Sequence, residues 1–208
     1  MINDYQPPPG IQAYKYVDDV SLVECRSQNQ LSNMQPTVTQ FSEWSQMNGM
    51  KLNPVKCTRM EISFMRDPPT IVPIRLQNCV IDCVDTVKLL GITIQKDLKW
   101  DSHIADLVKR ANRKLYMLRL LKRHHLPIPD MIAIFHGYIR PILEYGVPVW
   151  SGAINKEQIA TLERIQKRAL RIIFGRDYTT YDQYCSRMNF NTWKKGESCF
   201  ACPFSKSL

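Results

Sequence analysis

The sequence predicts an α+β chain, with small antiparallel hairpins and a covering helix in its first half and a helical second half. Three observations carry that expectation. Apolar and β-branched runs at residues 11–15 and 20–24 flank a tight Tyr16-Val17-Asp18-Asp19 connection, the pattern of a β-hairpin. From Leu31, apolar residues recur at Met34, Val38, Phe41 and Trp44, the spacing of one helical face. Beyond residue 100, two long stretches repeat that period with lysine and arginine on the opposite face.

The elements follow in order. Pro7-Pro8-Pro9-Gly10 is extended or turn-like and separates whatever precedes it from a hairpin over residues 12–25. Pro36 lacks an amide donor, so the next helix starts or kinks near it, and Asn48-Gly49 stops it. Residues 61–64 read as a returning strand, residues 66–73 as a proline-bearing loop, and Gln77-Asn78 as the turn of a small hairpin. Residues 87–94 form a strand candidate with Gly91 inside it. Asp101 or Ser102 caps a helix with Ile104, Leu107, Val108, Ala111, Leu115 and Leu118 on its apolar face. After Pro127 and Pro129, a shorter helix runs from about Asp130 to Ile139, and Arg140-Pro141 bends the chain into an apolar junction. Asn155 with Gln158 fits a capping box for a last helix, which stops near Gly175.

Composition limits the function classes. The 208 residues carry 28 Lys+Arg against 19 Asp+Glu, a net +9 that favours a polyanionic partner. Seven cysteines, an odd count, argue against a complete disulfide framework. No secretory leader and no apolar run of membrane-spanning length is present, which leads us to expect an intracellular protein with no membrane partner. Cys79 and Cys83, and Cys199 and Cys202, have ligand-like spacings but lack the further ligands of a zinc site.

Adjacent carboxylates disfavour each other's ionisation unless a cation compensates, so Asp18 and Asp19 are either a solvated turn or a site for a hard divalent ion. The residues around them bear on the choice. Tyr16-Val17-Asp18-Asp19 is followed by a helix ending Phe41-Ser42-Glu43-Trp44 and by Lys51-Leu52-Asn53-Pro54-Val55-Lys56. Lys88-Leu89-Leu90-Gly91-Ile92 and Leu143-Glu144-Tyr145-Gly146 come next. In this order the segments resemble the second half of the reverse transcriptase of animal non-LTR retrotransposons, over nearly the whole chain and weakening after about Asp177.

The resemblance implies a partial polymerase palm over residues 11–98 after a lead-in of residues 1–10. A helical thumb-like and post-thumb region would follow over residues 99–176, and residues 177–208 form a tail of unassigned role. It implies that Asp18 and Asp19 bind Mg2+ (or Mn2+) as catalytic carboxylates, and that Tyr16 and Val17 lie under the primer terminus. Lys56 would sit beside the incoming deoxynucleoside triphosphate, its rival being a solvated lysine after a proline turn. Leu90 and Gly91 would belong to a primer-grip hairpin, though Gly91 fits a plain bulge equally well. Lys109, Arg110, Arg113 and Lys114 would contact the phosphates of an RNA template and DNA primer, or be merely a solvated face. The fingers and the palm strand with a further metal-binding aspartate would precede residue 11. The expectation is therefore the C-terminal part of an RNA-directed DNA polymerase, inactive alone. The alternative is a non-catalytic nucleic-acid-binding remnant of a retroelement.

Overall fold

The computed structural model describes residues 4–27, 30–66, 72–178 and 181, so Cys199 and Cys202, noted for their ligand-like spacing, lie outside the described residues. The fold is mixed α+β, with small two-stranded sheets and helices, and it divides into two compact units, Met1–Val87 and Lys88–Leu208.

In the first unit, β1 (Ile11–Tyr16) and β2 (Asp19–Glu24) pair antiparallel from Ile11↔Glu24 to Tyr16↔Asp19. Glu24 then reaches forward to the entrance of helix α1 (Met34–Met47). Its carboxylate accepts from Ser32 Oγ at 2.6 Å and from the Asn33 amide at 2.7 Å. A carboxylate at a helix N-terminus answers orphan amides and the positive end of the helix dipole. Phe41 and Trp44 of α1 stack at 6.1 Å and are half-buried. Tyr5, 2% exposed, packs edge-on to Phe41 at 4.8 Å. The stretch before the hairpin therefore supplies a core residue that the proline-rich composition concealed. The fully buried side of α1 is small and hydroxylated, Thr37, Ser42 and Ser45, and Thr37 returns its hydroxyl to the Asn33 carbonyl at 2.7 Å.

Two short sheets follow in this unit, and they correct one expectation. β3 (Thr58–Arg59) pairs parallel with β6 (Asp82–Cys83), while β4 (Arg75–Leu76) pairs antiparallel with β5 (Cys79–Val80). The Gln77-Asn78 turn expected between β4 and β5 is present, with φ of 49° and 67°, the double left-handed pair of a type I′ hairpin. Residues 61–64, expected as a strand, are not one: Ile62 and Phe64 are exposed, and the ladder lies earlier, at Thr58–Arg59. Alternation alone does not make a strand where no neighbouring edge accepts its amides. The Gln35 side-chain amide does engage a strand, donating to the Arg75 carbonyl at 3.0 Å and accepting from the Arg75 amide at 2.7 Å. It serves β4 as one more strand would. Cys79 and Cys83, in β5 and β6, are exposed.

The strand expected over residues 87–94 is a hairpin, β7 (Thr86–Leu89) and β8 (Ile92–Gln95), because Leu90 and Gly91 turn at φ of 46° and 82°. α2 (Asp101–Arg123) starts one residue before Ser102, with Trp100 at its cap, and buries the predicted stripe Ile104, Leu107, Ala111, Leu115 and Leu118. The helix expected to stop near Ile139 instead continues through Arg140-Pro141. α3 (Ile128–Ile134) passes through a π-type turn at Phe135–Ile139 directly into α4 (Arg140–Glu144), with Pro141 in the first turn of α4. A widened turn removes the i−4 acceptor that proline cannot use, so the helix continues across it. α5 (Val147–Trp150) follows. The capping box then opens α6 (Lys156–Phe174), with Asn155 Oδ1 accepting from the Gln158 amide at 2.8 Å and Gln158 Oε1 from the Asn155 amide at 2.9 Å.

α2 and α6 run parallel. Gln158 Nε2 meets Asp101 Oδ1 at 2.6 Å near both starts, Arg168 reaches Asn112 at 3.4 Å midway, and Lys122 Nζ donates to the Ile173 carbonyl at 2.7 Å near both ends. Met131, Phe135, Leu143 and Trp150 fill the core with Leu162 and Leu170 of α6, each fully buried.

Candidate functional site

Because the hairpin stays in register as far as Tyr16↔Asp19, Val17 and Asp18 alone form its loop. Val17 lies at φ 53°, a left-handed conformation that costs a β-branched residue about 1–2 kcal/mol. Strain of this kind persists only where flanking structure overrules it, and it gathers at functional turns. Alternation puts Asp19 on the same face as Tyr14, Tyr16 and Val23, all of them exposed. Asp18 and Asp19 are exposed, and neither side-chain carboxylate makes a hydrogen bond or ion pair with a described residue.

This donor set has the right chemistry for one hard cation. Mg2+ is held through one or two carboxylates and completes its shell with water and substrate phosphates. A pair of ions needs more protein oxygen, and no group of three or more His, Cys, Asp or Glu side chains stands together among the described residues. Lys56 ends the single turn Pro54–Lys56, which Asn53 caps by accepting from the Val55 amide at 3.1 Å. The lysine is exposed, and no hydrogen bond or ion pair joins it to the hairpin carboxylates.

Two motifs far apart in sequence meet in the second unit. The Tyr145 hydroxyl donates to the Leu90 carbonyl at 2.7 Å, and its ring lies where a Cβ on Gly91 would stand 3.1 Å from Cε1. Gly91 is thus required both by its left-handed φ and by the ring above it. The turn is held from the other side too. Gly146, at φ 63°, leaves room for Ile92, whose Cδ1 would lie 2.6 Å from an added Cβ. The Trp150 indole donates to the Tyr145 carbonyl at 3.0 Å. Sequence reading treated the two segments separately, and nothing in their composition marked them as interlocking.

Of the four cations named on α2, Lys109 and Arg113 have no internal partner among the described residues. Arg110 faces Asp106 at 3.7 Å, and Lys114 lies 6.0 Å from the centre of the Tyr138 ring. On α6, Lys167 is engaged by Glu163 at 3.2 Å and lies over the Tyr181 ring, and Arg171 lies over Tyr178.

His103, a residue the sequence did not single out, is fully buried between Trp100 and Trp150, with ring centres 6.0 and 5.6 Å away. Its Nδ1 accepts from the Thr93 amide at 3.4 Å, and its Nε2 has no partner. Burial pushes the imidazole below its ordinary pKa. Asp106 opposes that shift, while Arg110 and Lys88 reinforce it. It is a neutral packing group in this setting.

Among known proteins, the chain is 25% identical over 162 residues, 76% of its length, to the probable RNA-directed DNA polymerase from transposon BS of Drosophila melanogaster. It is 23% identical over 180 residues, 81% of its length, to the probable RNA-directed DNA polymerase from transposon X-element of the same organism. The matched region is 18% of the first relative and 19% of the second, so this chain spans less than a fifth of either. No family model matches the sequence, and no solved structure matches the fold. No described helix is long and apolar enough to cross a membrane.

Proposed function

We propose that this chain is part of an RNA-directed DNA polymerase of the transposon-encoded kind, carrying one hairpin of its catalytic palm and the thumb-like helices behind it. The observation that carries the reading is the strained two-residue loop at Val17 and Asp18, which presents the Asp18 and Asp19 carboxylates in solvent without internal partners. The similarity to two transposon polymerases over most of the chain supports it.

In this reading Asp18 is the principal ligand of Mg2+ (or Mn2+) and Asp19 a supporting carboxylate. The bound ion supplies Lewis-acid stabilisation at the phosphates being exchanged. Tyr16 and Val17, exposed beside the pair, offer an apolar seat for the primer terminus. The Leu90-Gly91 turn, clamped by Tyr145, is the primer grip, and Lys109, Arg110, Arg113 and Lys114 of α2 lie along the phosphates of the RNA template and DNA primer. Lys56 stands toward the deoxynucleoside triphosphate. With only two carboxylates brought together by the described residues, the chain alone does not extend a primer.

The second reading, a nucleic-acid-binding remnant without catalysis, is favoured by the unpaired Lys109 and Arg113 and needs no metal. Mn2+ titration followed by relaxation broadening of amide signals separates the two. The polymerase reading expects broadening centred on residues 16–20, enhanced by a deoxynucleoside triphosphate and lost in Asp18→Asn. Hairpin signals unaffected by Mn2+, with salt-sensitive oligonucleotide binding that survives Asp18→Asn, would leave the remnant reading standing instead.

A further inference from the structure

The parallel packing of α2 on α6 builds a surface that neither helix has alone. Asn112, bonded to Arg168, fixes the side of α2 that meets α6. Counting helical turns from Asn112 places Lys109, Tyr116 and Arg119 on that same side. The same count from Arg168 places Arg164 beside it on α6. Tyr116 is 60% exposed, and its hydroxyl bonds no described residue. The acidic side chains in the middle of these helices do not neutralise the strip. Asp106 is taken by Arg110 and Glu163 by Lys167, each four residues on along its own helix.

We infer that this seam binds a single strand of nucleic acid, with its phosphates along Lys109, Arg119, Arg164 and Arg168 and one base stacked on the Tyr116 ring. A duplex hides its base faces, so an exposed aromatic ring among cations adds nothing to duplex binding beyond the charges. An unpaired base, by contrast, gains a stacking platform. An anionic lipid surface would use the charges and the ring as well, so vesicles serve as the competing partner in the test. The inference rests on the proposed function for the class of partner, a nucleic acid, and goes beyond it in the strand form and in the part played by α6.

Fluorescence anisotropy on the full chain, with a labelled uridine dodecamer, a matched duplex and phosphatidylserine vesicles, tests it. Tyr116→Ala is expected to weaken single-strand binding about tenfold and leave duplex binding unchanged, while Tyr116→Phe binds as the parent does. Arg168→Gln should reduce the salt slope for the single strand by about 0.7. Equal single-strand affinity for Tyr116→Ala and the parent overturns the inference while the polymerase reading survives. Tighter binding to vesicles than to the oligonucleotide also overturns it. Absence of binding to any nucleic acid overturns the inference together with the nucleic-acid part of the proposed function, which the Mn2+ titration of the hairpin then judges separately.

Discussion

Replacing Gly146 with alanine tests the clamp between the Leu90-Gly91 turn and the segment after α4. Two costs add. At φ 63° the alanine adopts a left-handed conformation, about 1–2 kcal/mol worse than its preferred ones. The new Cβ would also stand 2.6 Å from Ile92 Cδ1 and 3.2 Å from Cγ1. Ile92 must leave its rotamer to make room, at roughly 0.5–1.5 kcal/mol. The total is about 1.5–3.5 kcal/mol, a large share of the 5–15 kcal/mol or so that holds an ordinary domain folded. Gly137 provides the control. It lies in the π-type turn with open space around its Cα and no left-handed φ. Gly137→Ala should therefore stabilise the unit by about 0.4–1 kcal/mol through the unfolded chain. Urea denaturation of the two variants and the parent, read as midpoint shifts at constant slope, gives both values. A Gly146→Ala midpoint within error of the parent would refute the claim that Ile92 and a left-handed turn exclude a side chain there.

The remaining predictions concern the same unit. Stability should fall as pH drops below the ordinary imidazole range: buried His103 and half-buried His136 both have pKa values lowered by desolvation. Folding is favoured by these groups above the unfolded pKa, and that contribution is lost as the unfolded chain takes up protons the folded one refuses. His103→Gln should flatten the urea midpoint against pH between 7 and about 5, and an unchanged profile would show that His103 does not report the transition. Tyr145→Phe deletes the hydrogen bond to the Leu90 carbonyl and should cost about 0.5–1.5 kcal/mol. Faster amide exchange confined to residues 89–92 and 145–147 is the expected signature, and uniform exchange across the unit would argue against a local clamp.

How much of this was legible beforehand follows from the range of each interaction. The β1–β2 hairpin, the apolar stripe of α2 and the Asn155–Gln158 capping box were read correctly because their signals repeat every two to four residues. The positive φ at Leu90 had no such signal, so the residues read as one strand with a glycine in it and only the family resemblance implied a hairpin there. The helix was expected to stop near Ile139 because a π-type turn ahead of a proline leaves no mark on the spacing of apolar residues. Among the site residues, the carboxylates at the hairpin tip were plain in the sequence. The division of the α2 cations into engaged and unengaged was not, since it depends on Asp106 and Tyr138.

By itself, then, the sequence determined the α+β class, the Asp18-Asp19 loop and the two basic amphipathic helices, all consequences of local geometry acting on nearby residues. Only the tertiary structure decided that Tyr5 fills the face of α1, that Tyr145 closes over Gly91, and that α2 and α6 lie parallel with Tyr116 beside their seam. Those facts join residues up to 57 apart, as in the bond from Gln158 to Asp101. A periodic pattern says which face of an element is buried, but the partner that buries it is chosen by shape and by unsatisfied polar groups at a distance.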